Sequence, residues 1–258
     1  MSFPGPAIAA QGLVKAFGGL KVLDGLDLQI ERGQMVALIG PSGAGKTTLL
    51  RILAGSLAPD AGRVSVLGRE PATLAARARR ELHQQLGFHY QNDSLVPGLR
   101  VVHNVLIGRL GHWPLWKSLV SLAFPREIER ARAALAAVDL ADKLWAPIGT
   151  LSGGQRQRVA IARLLAQDAE LIFADEPAAA LDPRLRRTVV GLLVRLARER
   201  GRTCLVSLHD LDLVASGFDR VLALRDGRWF ADGTPAVLTD ATVRALFAGE
   251  PERPDSDA

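Results

Sequence analysis

The segment at residues 40–47 constrains the fold of this chain more than any other part of its sequence. It reads Gly-Pro-Ser-Gly-Ala-Gly-Lys-Thr, which fits the pattern G-x-x-x-x-G-K-[ST], and it directly follows the apolar run 35–39. In such a strand–loop–helix unit, glycines let backbone N–H groups turn inward around a phosphate, and the helix N-terminus adds positive potential. The pattern arises by accident in only about a few per thousand chains of this composition. The sequence therefore predicts a phosphate-binding loop over residues 40–48, called the phosphate loop below.

Short apolar runs alternate with helical patterns along most of the chain, which is typical of an α/β fold with a mostly parallel sheet. The predicted strands are residues 8–14, 21–30, 35–39, 63–67, 86–91, 171–174, 203–208, 220–224 and 228–231. The early strands resemble antiparallel ones, and the turn dipeptides Arg32-Gly33 and Asp226-Gly227 predict hairpins beside the parallel core. Residues 99–166 show helical periodicity instead, so we expect a helical insert there. We expect a single domain over residues 1–248 and a flexible tail over residues 249–258.

Composition indicates a globular chain and excludes several other classes. Of the 258 residues, 48% are hydrophobic and 23% are charged, which excludes disordered and collagen-like chains. We expect no membrane span, because no apolar stretch approaches the required length of about 18 residues. We expect no signal peptide, because residues 1–10 lack a basic start and a long apolar core. The single cysteine, Cys204, cannot form an internal disulfide, which is typical of a reducing compartment. The net charge of +5 comes mostly from arginines spread over predicted helices, which favours solvated helix faces over a nucleic-acid groove.

Two carboxylates follow the apolar run 171–174, namely Asp175 and Glu176. The carboxyl edge of a parallel sheet is where ligands bind in open α/β folds. There Asp175 is suited to the water shell of Mg²⁺ and Glu176 to an attacking water, whereas Lys46 can reach the β- and γ-phosphates of a nucleotide and Thr47 can bind the metal. An apolar run before two acids is usually structural on its own, and the phosphate loop is what makes these acids candidates.

Residues 151–155, Leu-Ser-Gly-Gly-Gln, precede a helical stretch and resemble the signature motif of the ATP-binding cassette (ABC) ATPases. A serine hydroxyl and glycine N–H groups at a helix N-terminus form an anion site, although an ordinary capped helix has the same sequence features. The six motifs of that family occur here in the family's order: residues 40–48, Gln91, residues 151–155, Asp175 with Glu176, Asp182 and His209. The resemblance covers nearly the whole chain. It implies a P-loop NTPase fold of the ABC ATPase type, with a mostly parallel core sheet, an antiparallel β subdomain and a helical subdomain.

The same resemblance implies ATP and Mg²⁺ as cofactors and gives roles to individual residues. The implied catalytic residues are Glu176, which orients or deprotonates the water, His209, which contacts the γ-phosphate, Gln91 and Lys46. The implied metal ligands are Thr47, Gln91 and Asp175. The residues implied to bind the nucleotide are Phe17, Gly40, Pro41, Ser42, Gly43, Ala44, Gly45, Lys46, Thr47, Thr48, Ser152, Gly153, Gly154, Gln155 and Asp182.

Two positions depart from the usual pattern of the family. Phe17 stands where the family commonly has Tyr stacked on adenine, and it keeps the aromatic face while losing a hydroxyl. Ala180 stands where the family commonly has Ser, which removes one hydroxyl from the loop that links the halves of a dimer.

The resemblance also implies partners. In the family the signature of one protomer closes over the nucleotide in the phosphate loop of another, which implies a head-to-tail homodimer around two ATP molecules. Transport would require separate membrane permease subunits, with this chain peripheral on the cytoplasmic side of the inner membrane, and indirectly an extracytoplasmic solute-binding protein. We expect docking near the helical insert and the Gln91 loop, where Leu95, Val96, Trp113 and Trp116 resemble exposed apolar residues. The alternative is that these residues pack under the insert.

Several segments, including 104–110, 159–166 and 207–213, are similar to the ATPase of bacterial phosphonate importers. This similarity implies uptake of phosphonates, with phosphite or another small solute as alternatives. A soluble ABC ATPase of DNA repair or translation is a competing class, disfavoured by the short interval between Gln91 and Leu151 and by the presence of one phosphate loop. A module that senses nucleotide without hydrolysis is disfavoured by the presence of Glu176.

Overall fold

The computed structural model describes residues 5–89, 95–113, 120–121 and 125–248. The strands are β1 (Ile8–Phe17), β2 (Leu20–Ile30), β3 (Met35–Ile39), β4 (Ala61–Val66), β5 (Leu86–His89), β6 (Leu171–Asp175), β7 (Thr203–Leu208), β8 (Arg220–Arg225) and β9 (Arg228–Gly233). The helices are α1 (Lys46–Leu53), α2 (Ala76–Gln85), α3 (Val101–Leu106), α4 (Ile128–Ala136), α5 (Gly153–Gln167), α6 (Pro183–Glu199) and α7 (Asp240–Leu246).

Six strands form the central sheet, in the order β5-β6-β7-β3-β8-β9. The first five are parallel to one another and β9 runs antiparallel to β8. Every residue of β3, β6 and β7 is buried, as expected for parallel strands that are covered on both faces. The α/β fold expected from the sequence is therefore confirmed.

Two hydrophobic cores lie on opposite faces of this sheet. Along β3, Met35, Ala37 and Ile39 pack with helices α3 to α6, whereas Val36 and Leu38 pack with α1 and the strands of a second sheet. This alternation is the two-residue period of a strand. It follows that α1 and the helical insert are on different sides of the central sheet.

The second sheet is antiparallel, with the order β2-β1-β4, and it contacts the β8–β9 hairpin. Asp24 of β2 accepts hydrogen bonds from Arg228 at 2.6 and 3.2 Å, and Arg228 and Lys21 together lower the pKa of that carboxyl group. The indole N–H of Trp229 donates to the backbone oxygen of Asp27 at 2.7 Å. These bonds hold the small sheet against the edge of the large one.

The predicted strands are all present, with shifts at their ends, such as β1 ending at Phe17 rather than at residue 14. The hairpin predicted at Asp226-Gly227 is present between β8 and β9. The hairpin predicted at Arg32-Gly33 is wrong, because β2 and β3 belong to different sheets. The turn dipeptide depends only on its own residues. Strand β3 is apolar on both faces, and it therefore pairs with β7 and β8 at the centre of the large sheet rather than with β2.

The described part of residues 99–166 contains α3, α4 and all but the last residue of α5, and no strand. These helices form the helical subdomain that the family resemblance implied. Within the residues that the structure describes, no helix has both the length and the apolar character needed to cross a bilayer. Residues 249–258, the predicted tail, lie outside the described residues.

Candidate nucleotide site

The phosphate loop, the paired acids and His209 lie at the carboxyl edge of the central sheet. The phosphate loop follows β3, Glu176 follows β6 and His209 follows β7. Since β6, β7 and β3 are adjacent parallel strands, their carboxyl ends lie side by side. This is the edge at which open α/β sheets bind ligands.

Two glycines of the phosphate loop are required by close backbone contacts. Gly40 has φ +151°, and a Cβ atom there would lie 2.0 Å from the backbone oxygen of Leu224. Gly45 precedes α1 in a left-handed conformation, and a Cβ atom there would lie 2.8 Å from the backbone oxygen of Val22. The loop can take this course because neither residue carries a side chain.

The Lys46 ammonium is buried inside the loop, with only 6% of the residue exposed. Its Nζ donates to the backbone oxygens of Gly40 at 2.7 Å and Pro41 at 3.0 Å. Thr47 and Thr48 are half-buried on the first turn of α1. The loop therefore offers a cation, two hydroxyls and a helix N-terminus at one place, which suits a polyphosphate.

The paired acids meet a buried serine on the neighbouring strand. Asp175 lies opposite Ser207 in the β6–β7 register, and its Oδ1 accepts a hydrogen bond from Ser207 Oγ at 2.7 Å. The backbone N–H of Glu176 donates to the same Oγ at 2.9 Å. Glu176 itself has φ +45°, in the left-handed region that non-glycine residues rarely adopt.

His209 connects the end of β7 to the phosphate loop, since its Nε2 lies 3.1 Å from Ser42 Oγ. Glu176 and His209 also line one small cavity together with Arg186. Arg186 Nε donates to the backbone oxygen of Leu181 at 2.7 Å.

Two residues near the predicted site, Ser207 and Arg186, were not predicted from the sequence. The only signal for Ser207 was its place at the carboxyl end of a predicted strand, and Arg186 had none.

The signature residues form a capped helix start. Gln155 N–H donates to Ser152 Oγ at 3.3 Å, and Ser152 N–H donates to Gln155 Oε1 at 3.0 Å. A Cβ atom on Gly154 would lie 2.4 Å from Leu185 Cδ2, so this glycine lets α5 approach α6 closely. The described side-chain hydrogen bonds of Ser152 and Gln155 join these two residues to each other and do not extend to the phosphate loop. Ser152 is exposed and Gly153 is half-buried.

The remaining predicted residues have separate positions. Asp182 is the N-cap of α6, where its Oδ1 accepts from the Leu185 N–H at 3.0 Å, and Ala180 is exposed just before it. Phe17 ends β1 with half of its surface exposed, and the Lys15 ammonium lies 5.3 Å from its ring centroid. An exposed ring of this kind can stack on a base.

Some residues predicted to be exposed are buried in the structure, and others lie outside the residues that the structure describes. Leu95 and Trp113 were expected on an exposed docking surface, and this is wrong for both, since they are buried with 6% and 4% exposure. Leu95 belongs to the core around the helical insert. Val96 is exposed as expected. Gln91 and Trp116 lie outside the described residues.

The sequence model of the family described as ABC transporter matches residues 23–179 of this chain. The chain belongs to the ABC transporter family. The family expected from the sequence is therefore confirmed, and with it the activity of an ABC ATPase, which binds and hydrolyses ATP.

Relatives within the family are similar over most of their length. Phosphonates import ATP-binding protein PhnC 1 of Pseudomonas aeruginosa is 51% identical over 232 residues, covering 90% of this chain and 87% of the relative. Phosphonates import ATP-binding protein PhnC of Pseudomonas fluorescens is 45% identical over 240 residues, covering 93% of this chain and 91% of the relative.

Solved structures of family members share the fold. The ADP conformation of MJ1267, an ATP-binding cassette of an ABC transporter, is 28% identical with a TM-score of 0.81, covering 95% of this chain and 99% of that one. The dimeric structure of MJ0796, a bacterial ABC transporter cassette, is 29% identical with a TM-score of 0.75, covering 88% of this chain and 98% of that one. The fold class with its helical and antiparallel subdomains is thus confirmed.

Proposed function

We propose that this chain is the ATP-hydrolysing subunit of an importer that couples ATP turnover to the uptake of phosphonates through separate membrane subunits. The observation that carries this proposal is the identity of 45% to 51%, over at least 90% of the chain, to relatives named phosphonates import ATP-binding proteins. Residues 1–248 act as a single ATPase domain in this proposal. The cargo is recognised by other subunits, so phosphite or another small solute is the alternative outcome.

Lys46 binds the phosphates of ATP by exchanging its two carbonyl acceptors for phosphate oxygens. A charged acceptor makes a stronger hydrogen bond with an ammonium than a neutral carbonyl does. The backbone N–H groups of residues 40 and 42–45 and the Thr48 hydroxyl complete the cradle, whereas Pro41 has no N–H to donate. Phe17 stacks on the adenine base.

Mg²⁺ would be held by the Thr47 hydroxyl, Asp175 and Gln91. All three offer oxygen atoms, and Mg²⁺ is usually bound through one or two carboxylates together with waters and substrate phosphates, so Asp175 would supply the carboxylate. When bound, the metal neutralises charge on the β- and γ-phosphates. The buried Asp175 suits this role, because one of its oxygens is already held by Ser207.

Glu176 orients the attacking water and accepts its proton, while His209 donates a hydrogen bond to the γ-phosphate as charge develops there. Their position on one cavity supports this division of work. Hydrogen bonding of His209 to Ser42 keeps the imidazole beside the phosphate loop until the nucleotide arrives.

The complete site forms between two copies of the chain. The exposed Ser152, with Gly153, Gly154, Gln155 and Asp182, closes over the ATP of the partner protomer. Support comes from the dimeric form in which the cassette MJ0796 was solved. Ala180 supplies no hydroxyl to this contact, so the dimer relies on the other residues of the loop.

The membrane subunits dock on the cytoplasmic side of the inner membrane, and an extracytoplasmic binding protein delivers the cargo to them. A cavity of about 520 Å³ between α2, β5 and α5 supports a docking place beside the helical insert. It is lined by Arg79, Arg80 and Arg163 as well as His112, whose pKa is lowered by burial and by nearby arginines. A segment of the permease with acidic residues would complement this lining.

The test measures ATP hydrolysis by vesicles that contain this chain and its membrane subunits. A binding protein loaded with methylphosphonate is expected to stimulate hydrolysis, and the unloaded binding protein is the control. Stimulation by another solute alone would retain the ABC importer and overturn the phosphonate assignment. If ATP hydrolysis is equally fast with and without the membrane subunits and the binding protein, the result would favour a soluble ABC ATPase.

A further inference from the structure

One buried hydroxyl on β7 binds both acids of the ATPase site. Ser207 Oγ donates to Asp175 Oδ1 at 2.7 Å and accepts from the Glu176 backbone N–H at 2.9 Å. The Ser207 backbone oxygen lies 3.3 Å from the same N–H. Ser207 is 0% exposed, so no solvent competes for these bonds.

The direction of these hydrogen bonds follows from the chemistry of a hydroxyl. Serine has one hydrogen to donate, and a carboxylate oxygen can only accept it. The lone pairs of Ser207 Oγ are therefore left for the Glu176 N–H. One atom thereby holds the carboxylate of the first acid and the backbone of the second.

The backbone of Glu176 needs such support. Its φ of +45° is a conformation that persists in a non-glycine residue only when the surroundings hold it. The backbone of Glu176 determines where its carboxylate points, so the N–H bond to Ser207 sets the position of the general base. Ser207 also lies two residues before His209 on the same strand end.

We propose that Ser207 is a positioning residue for ATP hydrolysis, holding Asp175 and Glu176 in one arrangement relative to His209. The proposal rests on the roles given above to these three residues. Ser207 does not touch the reacting atoms, and its contribution passes through the two acids.

The test compares Ser207→Ala with Cys204→Ala and Ser207→Thr in the full-length protein. Both alanine variants remove one heavy atom from a fully buried position of β7, but Cys204 points to the other face of the sheet and lies opposite Ile172 rather than Asp175. Ser207→Thr keeps the hydroxyl. The measurements are kcat and KM for ATP, the melting temperature, and nucleotide affinity with and without Mg²⁺.

Ser207→Ala is expected to lower kcat by about tenfold to a hundredfold, the usual loss for a group that holds a metal ligand in place. ATP affinity without Mg²⁺ is expected to stay within about twofold, and the gain in affinity on adding Mg²⁺ to shrink. Cys204→Ala is expected to melt at a lower temperature with kcat and the magnesium effect unchanged. Ser207→Thr is expected to recover most of kcat.

The proposal is overturned if Ser207→Ala hydrolyses ATP as fast as Cys204→Ala, or if a fully folded Ser207→Thr is as slow as the alanine variant. If Ser207→Ala does not fold, Ser207→Cys takes its place with the same expectations, since a thiol is a weak donor. None of these measurements uses the cargo. A failed phosphonate test and a failed Ser207 test are therefore distinct results.

Discussion

In the proposed mechanism Glu176 and Lys46 serve different steps, so we expect their variants to fail in different ways. Glu176→Gln keeps the shape of the side chain and removes the base, and we expect it to retain ATP, to lose about 10²- to 10⁴-fold in turnover and to accumulate the dimer. Size-exclusion chromatography with ATP and a phosphate-release assay measure these effects. Normal turnover by this variant would contradict the assigned base. Lys46→Ala should instead lose nucleotide affinity, because the phosphates lose their buried cation.

Gly40 allows the phosphate loop to pass the end of β8, and an added methyl group has no room there. We expect Gly40→Ala to lower the free energy of unfolding by about 2–4 kcal/mol, because its Cβ would meet a backbone oxygen rather than a movable side chain. Gly33→Ala is the control, since Gly33 also has a positive φ but nothing lies within 4 Å of its added Cβ. That control should lose only about 1–2 kcal/mol. Urea unfolding measures both, and equal losses would contradict the close contact.

The buried thiol of Cys204 should make the fold sensitive to alkali. Burial raises the pKa of this thiol from 9.0 to about 12, so the folded protein keeps a proton that the unfolded chain releases. Stability is therefore fully present below pH 9.0 and is lost as the pH rises towards 12. The slope from this group is about 1.4 kcal/mol per pH unit.

Cys204→Ala is expected to remove that slope from the free energy of unfolding. Urea unfolding of both proteins between about pH 9 and 11, with a reductant present, measures the difference. Parallel pH dependences for the variant and the parent protein would show that the thiol is not protected in the folded state.

At the scale of elements, the start of α5 combines a structural cap with a proposed contact to ATP. Ser152→Ala should destabilise the protein by about 1 kcal/mol through the lost cap. It should also slow ATP turnover at least about tenfold, because a hydrogen-bond donor to the partner's nucleotide is removed.

Thr239→Ala is the matched control for this prediction. Thr239 caps α7 in the same way, accepting from the Thr242 N–H at 3.2 Å, and it has no proposed role in the site. Thermal unfolding and ATPase assays on both variants separate the two effects. Equal turnover by the two variants would leave Ser152 with a structural role alone.

The strands and the β8–β9 hairpin could be predicted from sequence, but the partners of the central strand β3 could not. Apolar runs between turn residues are local features, and the structure has a strand at each of them. The partners of β3 depend on burial of both of its faces, which a turn dipeptide such as Arg32-Gly33 does not report. Leu95 and Trp113 show the same limit, since apolar character alone does not distinguish a core residue from a docking surface.

The candidate site also has features that the sequence predicted and features that it did not. The order of the motifs along the chain predicted that Lys46, Glu176 and His209 would lie together, and the structure has them at one edge of the sheet, while their roles stay predictions. The role inferred for Ser207 depends on the register between β6 and β7, which joins residues far apart in sequence. A single sequence carries no pattern for such a pair.

At the scale of the whole molecule, the indole of Trp229 links the two sheets. Trp229→Phe removes its hydrogen bond to Asp27 and should lower the free energy of unfolding by about 1 kcal/mol. Trp145→Phe is the control, because Trp145 is 45% exposed and its indole has no described hydrogen bond, and it should change stability much less. Urea unfolding followed by circular dichroism measures both. Equal effects would show that the inter-sheet bond contributes nothing.

The contacts between the two sheets also bear on which molecules fit the site. Phe17 belongs to the small sheet, whereas the phosphate loop follows β3 of the large one. The bonds of Asp24 and Asp27 to the β8–β9 hairpin thus set the span between the proposed base platform and the phosphate cradle before any ligand enters. The two sheets therefore select ligands by the distance between their base and their phosphates. A ligand in which this distance is shorter or longer could stack on the Phe17 ring or bind to the phosphate loop, but could not do both together.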